Sequence, residues 1–97
     1  MRRSSLAGRI AQLLPALLSP RDFVREERLT SHVRARLVYK DPTLLASLEV
    51  ADVLGEIRNM RSKLATLNYE CKTVREGGQK SGRVLQYWGI SGPPEIV

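Results

Sequence analysis

Few residues in this chain are of a type that does covalent chemistry. There is one cysteine, Cys71, and one histidine, His32. Neither an internal disulfide nor a Cys/His metal cluster can therefore be assembled from the chain's own residues. No serine, histidine and acid fall into a nucleophile-and-base set, and Cys71 lies on an apolar stripe where a buried, inert thiol is expected. The run from Gly77 to Ser81 has the glycine and lysine of a phosphate loop. It lacks the spacing, however, and it follows a helical pattern where a phosphate loop follows a strand and opens a helix. No cofactor and no metal are expected, and the chain is expected not to be an enzyme. What remains is the chemistry of contact: apolar side chains in register, arginines for acidic partners, and an adjacent pair of aromatic residues with polar tips, Tyr87 and Trp88.

One short resemblance touches catalysis. Gly77-Gly78-Gln79 resembles the Gly-Gly-Gln tripeptide of peptide-release factors and related peptidyl-tRNA hydrolases, and the resemblance would imply attack on a peptidyl ester with Gln79 placing the water. It covers three residues. They directly follow a helical pattern whose end calls for glycine, so the pair is assigned to helix termination. The terminal Glu95-Ile96-Val97 has the apolar character of peptides that enter a PDZ-type groove by strand addition, a property of many C-termini.

The chain has 97 residues, 42% of them hydrophobic, and a formal net charge of +6. That length suits one small domain with a limited core. The positive charge favours acidic partners such as nucleic acid, anionic lipid or an acidic protein face. Ten acidic residues dilute this, and the arginines are spread along the chain instead of clustering beside aromatic residues.

The strongest periodicity lies between Asp41 and Glu76. Val50, Val53, Ile57, Met60, Leu64, Leu67, Cys71 and Val74 recur in alternating steps of three and four. Such spacing returns side chains to one face of a helix and predicts a heptad seam. Asp41-Pro42 supplies a start and Gly77-Gly78 a stop, so a single long helix over residues 42–76 is expected. In a parallel self-pairing, Glu56 would face Arg61, and Glu70 would face Arg75. Leu44, Leu45, Leu48 and Leu54 widen the apolar face beyond what a two-stranded coil requires.

The flanking segments complete the expectation. Residues 1–19 carry Arg2, Arg3 and Arg9, no acidic residue, and leucines at helical steps, as a mitochondrial targeting segment does. Arg9 and Pro15 interrupt the segment, so it is no transmembrane span, although its leucine face could dock on a membrane surface or a partner. Ser19-Pro20 reads as a second helix start, and Phe23, Thr30, Val33 and Leu37 form a thin stripe that would fold back on the long helix. After Gly77 the chain reads as an extended tail anchored by Tyr87 and Trp88.

The expected fold is all-α: an amphipathic segment (1–19), a helical hairpin with one long helix (20–76) and an extended tail (77–97). The expected role is a non-enzymatic accessory subunit of a large mitochondrial assembly, a respiratory-chain or ATP synthase complex, on the matrix side or associated with the inner membrane. Other subunits would be met through Val53, Ile57, Met60, Leu64 and Leu67 on the seam and through Tyr87 and Trp88 in the tail. Two alternatives accompany it: a mitochondrial ribosomal protein contacting rRNA phosphates, and a homodimeric coiled-coil adaptor.

Overall fold

The computed structural model describes residues 5–77 and 82–91. Gln79, the C-terminal Glu95-Ile96-Val97 and most of the Gly77–Ser81 run therefore lie outside the described residues.

The first helix, α1 (Leu6–Leu17), starts where the Ser5 hydroxyl accepts the Gly8 N–H at 3.0 Å. Its stripe of Ile10, Leu13 and Leu14 is buried, and Leu18 follows it inward. The leucine face expected to meet a membrane or a partner is thus turned onto the chain's own core. No helix among the described residues is long and apolar enough to cross a membrane.

Ser19 does form a turn, accepting the Asp22 N–H on its hydroxyl at 3.2 Å, but no helix follows directly. Instead the chain runs extended through a two-residue strand, β1 (Val24–Arg25), before α2 (Glu26–Lys40) begins. Helix α2 buries Leu29, Thr30, Val33 and Leu37 and ends at Asp41, ahead of Pro42. Asp41-Pro42 opens only a short 3-10 helix, Pro42–Ala46. A second start lies at Glu49. Its N–H donates to Asp52 Oδ2 at 2.9 Å in a reciprocal capping box, and α3 (Val50–Asn59) follows. A turn at Met60 separates α3 from α4 (Arg61–Thr66). The Met60 N–H still bonds the carbonyls of Glu56 and Ile57, and Leu64 N–H bonds Met60 O at 2.8 Å, so residues 50–66 form one bent rod.

The all-α expectation fails after Leu67. Asn68 adopts φ of 69°, a left-handed conformation that asparagine tolerates and that ends a helix. The chain then enters β2 (Tyr69–Glu76), which pairs antiparallel with β3 (Arg83–Ile90) from Tyr69↔Ile90 to Glu76↔Arg83. Strand β1 pairs on the other edge of β3, giving the order β1-β3-β2. The long helix and the extended tail are therefore both corrected to a three-stranded antiparallel sheet beside four α-helices. Cys71 and Val74 satisfied the heptad count, yet residues an odd number apart point to opposite faces of a strand. Cys71, opposite Trp88, packs against the core, whereas Val74 is 40% exposed.

One hydrophobic cluster joins all three of the expected segments. It takes Ile10 and Leu14 from α1, Leu29, Val33 and Leu37 from α2, Val53, Ile57, Met60 and Leu64 from the bent rod, and Trp88 from β3. On the opposite side of the sheet the Phe23 ring lies so close to Gly89 that a Cβ there would approach it to 2.7 Å, so this position requires glycine.

The corner at Asp41 carries a pH-dependent contribution. The Thr43 hydroxyl donates to the Asp41 carboxylate, the Thr43 N–H also donates at 3.2 Å, and Arg9 lies at 3.8 Å. These contacts, led by the Thr43 hydroxyl, hold the Asp41 carboxyl below its usual range. A depressed folded-state pKa means that the contribution is present above the unfolded carboxyl pKa and is lost as pH falls through the folded one. Melting temperatures recorded from neutral pH to below pH ~4 should therefore fall less steeply for Asp41→Asn than for the parent. Equal slopes would remove the contribution.

Candidate functional site

Four of the residues expected to meet partners lie in the chain's own core: Val53 and Ile57 at 0% exposure, Leu64 at 1% and Met60 at 7%. Trp88 is buried as well, whereas Leu67 is 54% exposed. Tyr87 sits on the outer face of the sheet and donates its hydroxyl to Glu76 Oε2 at 3.2 Å. The seam is thus an internal packing face. Its burial turns the opposite side of the rod outward.

That outward side has a consistent composition. Ala51, Gly55, Asn59, Ser62 and Thr66 follow one another in steps of four, four, three and four, and all five are exposed. None is bulky and none is charged. Arg58 flanks the stripe on one side, and on the other Lys63 shares the edge with Glu56, one heptad before it. Asp52, nearby at the N-terminal end, is engaged in the capping box. Gly55 is informative because no described residue lies within 4 Å of where its Cβ would be, and its φ is not positive. Neither packing nor backbone conformation within the chain calls for glycine there, although mid-helix glycine costs about 1 kcal/mol relative to alanine.

The rod is anchored through a buried carboxylate. Glu26 is the first residue of α2, where the helix dipole favours a negative charge, and it is 5% exposed. Its Oε2 accepts the Trp88 indole N–H at 2.9 Å. Its Oε1 accepts Arg58 Nε at 3.2 Å and Nη2 at 3.1 Å. One carboxylate therefore ties α2, α3 and β3 together, while the Arg58 side chain remains 61% exposed. Neither periodicity nor composition marks Glu26, because its partners lie 32 and 62 residues away.

Beside the rod, the β2–β3 hairpin adds further cations. Arg75 and Arg83 are exposed, and the Lys72 ammonium lies 4.4 Å from the centre of the Phe23 ring. Cys71 is half-buried and donates to Gln86 Oε1 at 3.4 Å. Burial pushes its thiol pKa up, which lowers the thiolate fraction needed for nucleophilic work. Among the described residues no three of His, Cys, Asp and Glu converge as metal ligands.

No protein-family model, curated protein or solved structure matches this chain. The exposed stripe presents an amide, two hydroxyls and backbone made accessible by small side chains, with a guanidinium and an ammonium at its edges. Asn59 and Ser62 can donate and accept hydrogen bonds, whereas the Thr66 hydroxyl already donates to the Lys63 carbonyl at 2.6 Å. The rod spans about 25 Å and is roughly 10–12 Å across with side chains.

Proposed function

We propose that this chain is a duplex-DNA-binding module of helix–turn–helix type, in which residues 50–66 enter the major groove and the β2–β3 hairpin lies against the adjoining backbone. One observation carries the reading. The rod that buries Val53, Ile57, Met60 and Leu64 presents an opposite face of small and polar residues edged by Arg58 and Lys63. A DNA major groove about 12 Å wide admits a helix of this diameter. Close approach to base edges needs small residues along the line of contact, and readout needs Asn, Ser or Arg beside them. The element order supports the same reading at the 3-10 helix and not at α2: Pro42–Ala46, a three-residue link and the outward-facing α3 follow the order helix, turn, helix, with α2 packed behind them. Fold analogy alone would not suffice, because one fold hosts many functions. The composition of the outward face adds the chemistry.

Two other readings are separable from this one. An accessory subunit of a mitochondrial complex is expected from a targeting-like start, an exposed apolar seam and a tail with no internal partner. With the seam buried and residues 83–90 forming the central strand, its support reduces to the composition of residues 1–19, which bears on location and not on what is bound. Contact with rRNA phosphates differs in groove shape. The major groove of an A-form helix is too deep and narrow for a protein helix, so duplex RNA should compete poorly.

The test is a titration of the full chain into fluorescently labelled duplex DNA, read by anisotropy at several salt concentrations. Binding is expected at ~50 mM salt, with log K falling linearly against log salt at a slope near −0.9 for each phosphate neutralised. Three neutralised phosphates would give a slope of roughly −3. Duplex RNA of the same sequence should bind at least about tenfold more weakly. Absence of binding at the lowest salt, or affinity indifferent to salt, would remove the proposal.

A further inference from the structure

Arg58 occupies an unusual position, with one edge of its guanidinium fixed in the interior and the rest of the side chain in solvent. A guanidinium carries five N–H donors. Two of them, Nε–H and one Nη2–H, are directed at Glu26 Oε1. Among the described residues the end-on edge, made by Nη1 and the second Nη2 hydrogen, makes no hydrogen bond, and the side chain is 61% exposed. Glu26 is itself fixed by the Trp88 indole on its other oxygen, so its position does not depend on Arg58 alone.

We infer that Arg58 is the residue with which this chain selects a guanine, and that Glu26 is the positioning residue that aims it. The inference rests on the duplex-DNA reading above. Guanine presents two acceptors in the major groove, O6 and N7, spaced for the two parallel N–H groups of an arginine end-on edge. A flexible arginine loses rotamer freedom when it makes that pair. One already held along its Nε/Nη2 edge has given up that freedom on folding, so more of the contact remains as discrimination. Lysine in the same place would supply charge without a fork. Glu26 also anchors β3 through Trp88. The reading helix and the hairpin are therefore spaced by the same carboxylate, which fixes the distance between base contact and backbone contact.

The experiment selects preferred sites from a random duplex library with the parent chain and then measures affinities for the selected site and for single-base variants. The parent should prefer one guanine, with substitution of that G·C pair costing about tenfold or more in affinity. Arg58→Lys should lose that preference, the ratio of affinities between the selected site and its single-base variants falling toward one. Glu26→Gln preserves volume and an acceptor for Trp88, and should lose most of the same preference, with circular dichroism confirming that it is folded. A purely structural Glu26–Arg58 pair would lower the melting temperature and leave the ratio between sites unchanged. Parent-like discrimination by Arg58→Lys overturns the inference while leaving DNA binding intact. Parent-like discrimination by folded Glu26→Gln overturns the positioning role. Failure of the parent to bind any duplex overturns the DNA reading itself and the inference with it.

Discussion

Trp88→Ala is expected to remove most of the chain's stability. The indole is 1% exposed within the main hydrophobic cluster, and a buried tryptophan truncated to alanine costs about 3–5 kcal/mol through lost transfer free energy and the cavity left behind. The same change leaves Glu26 Oε2 without its indole donor, and Glu26 is buried. A buried acceptor losing its partner adds roughly 1–3 kcal/mol. Small domains have total stabilities of about 5–15 kcal/mol, and 97 residues place this chain toward the low end. The melting temperature should accordingly fall by at least about 15 °C, if a folded state persists at all. Trp88→Phe narrows the attribution, because it retains one aromatic ring while deleting the donor and the rest of the indole's volume. Its expected loss is about 1–3 kcal/mol. Thermal melts followed by circular dichroism decide the matter. A Trp88→Ala variant melting within a few degrees of the parent would mean that β3 is not integral to the core, as an extended tail would require.

How far the amino-acid sequence discloses this architecture is best seen at two boundaries. At Leu67-Asn68 the spacing of apolar residues continues without a break, so periodicity carries a helix through to Val74. The physical stop is Asn68, whose side chain tolerates a left-handed backbone but which lacks the unambiguous signal of glycine. Beyond it, Tyr69, Thr73 and Val74 favour a strand, yet a strand is stable only if a partner exists, and β3 begins only at Arg83. Local pattern cannot weigh a pairing that tertiary contact decides. At Glu49 the difficulty is reversed. Glu49 and Asp52 form a reciprocal capping box, but Asp41-Pro42 upstream matches the more familiar start signal and absorbs the assignment. The apolar positions themselves were legible. Val53, Ile57, Met60 and Leu64 do share one helical face, as their spacing requires. Which partner covers that face was not legible, since burial by the same chain and burial by another leave the same periodicity. The outward stripe is the complement of that face, so it becomes visible only once burial is known.

Gly55 offers the sharpest separation between folding and binding. Gly55→Ala should stabilise the chain by roughly 0.5–1 kcal/mol, because alanine restricts the unfolded backbone and the added methyl meets nothing within 4 Å. A methyl group is small enough that duplex affinity should change little. Gly55→Glu shares the helical gain, since glutamate is also a better helix former than glycine, so its melting temperature should be no lower than the parent's. On the outward stripe, however, it places a carboxylate at the centre of the surface assigned to DNA, between Ala51 and Asn59. Like charges brought together at an interface cost several kcal/mol, equivalent to a loss of affinity of about a hundredfold or more. The pair is measured by thermal melts and by anisotropy titration against the same duplex. Equal duplex affinity of the Glu variant and the parent would show that this face does not meet DNA, whatever the hairpin and α2 contribute. A fall in stability for Gly55→Ala would instead mean that glycine is required by contacts within the fold, and Gly55 would then cease to mark a surface left open for a partner.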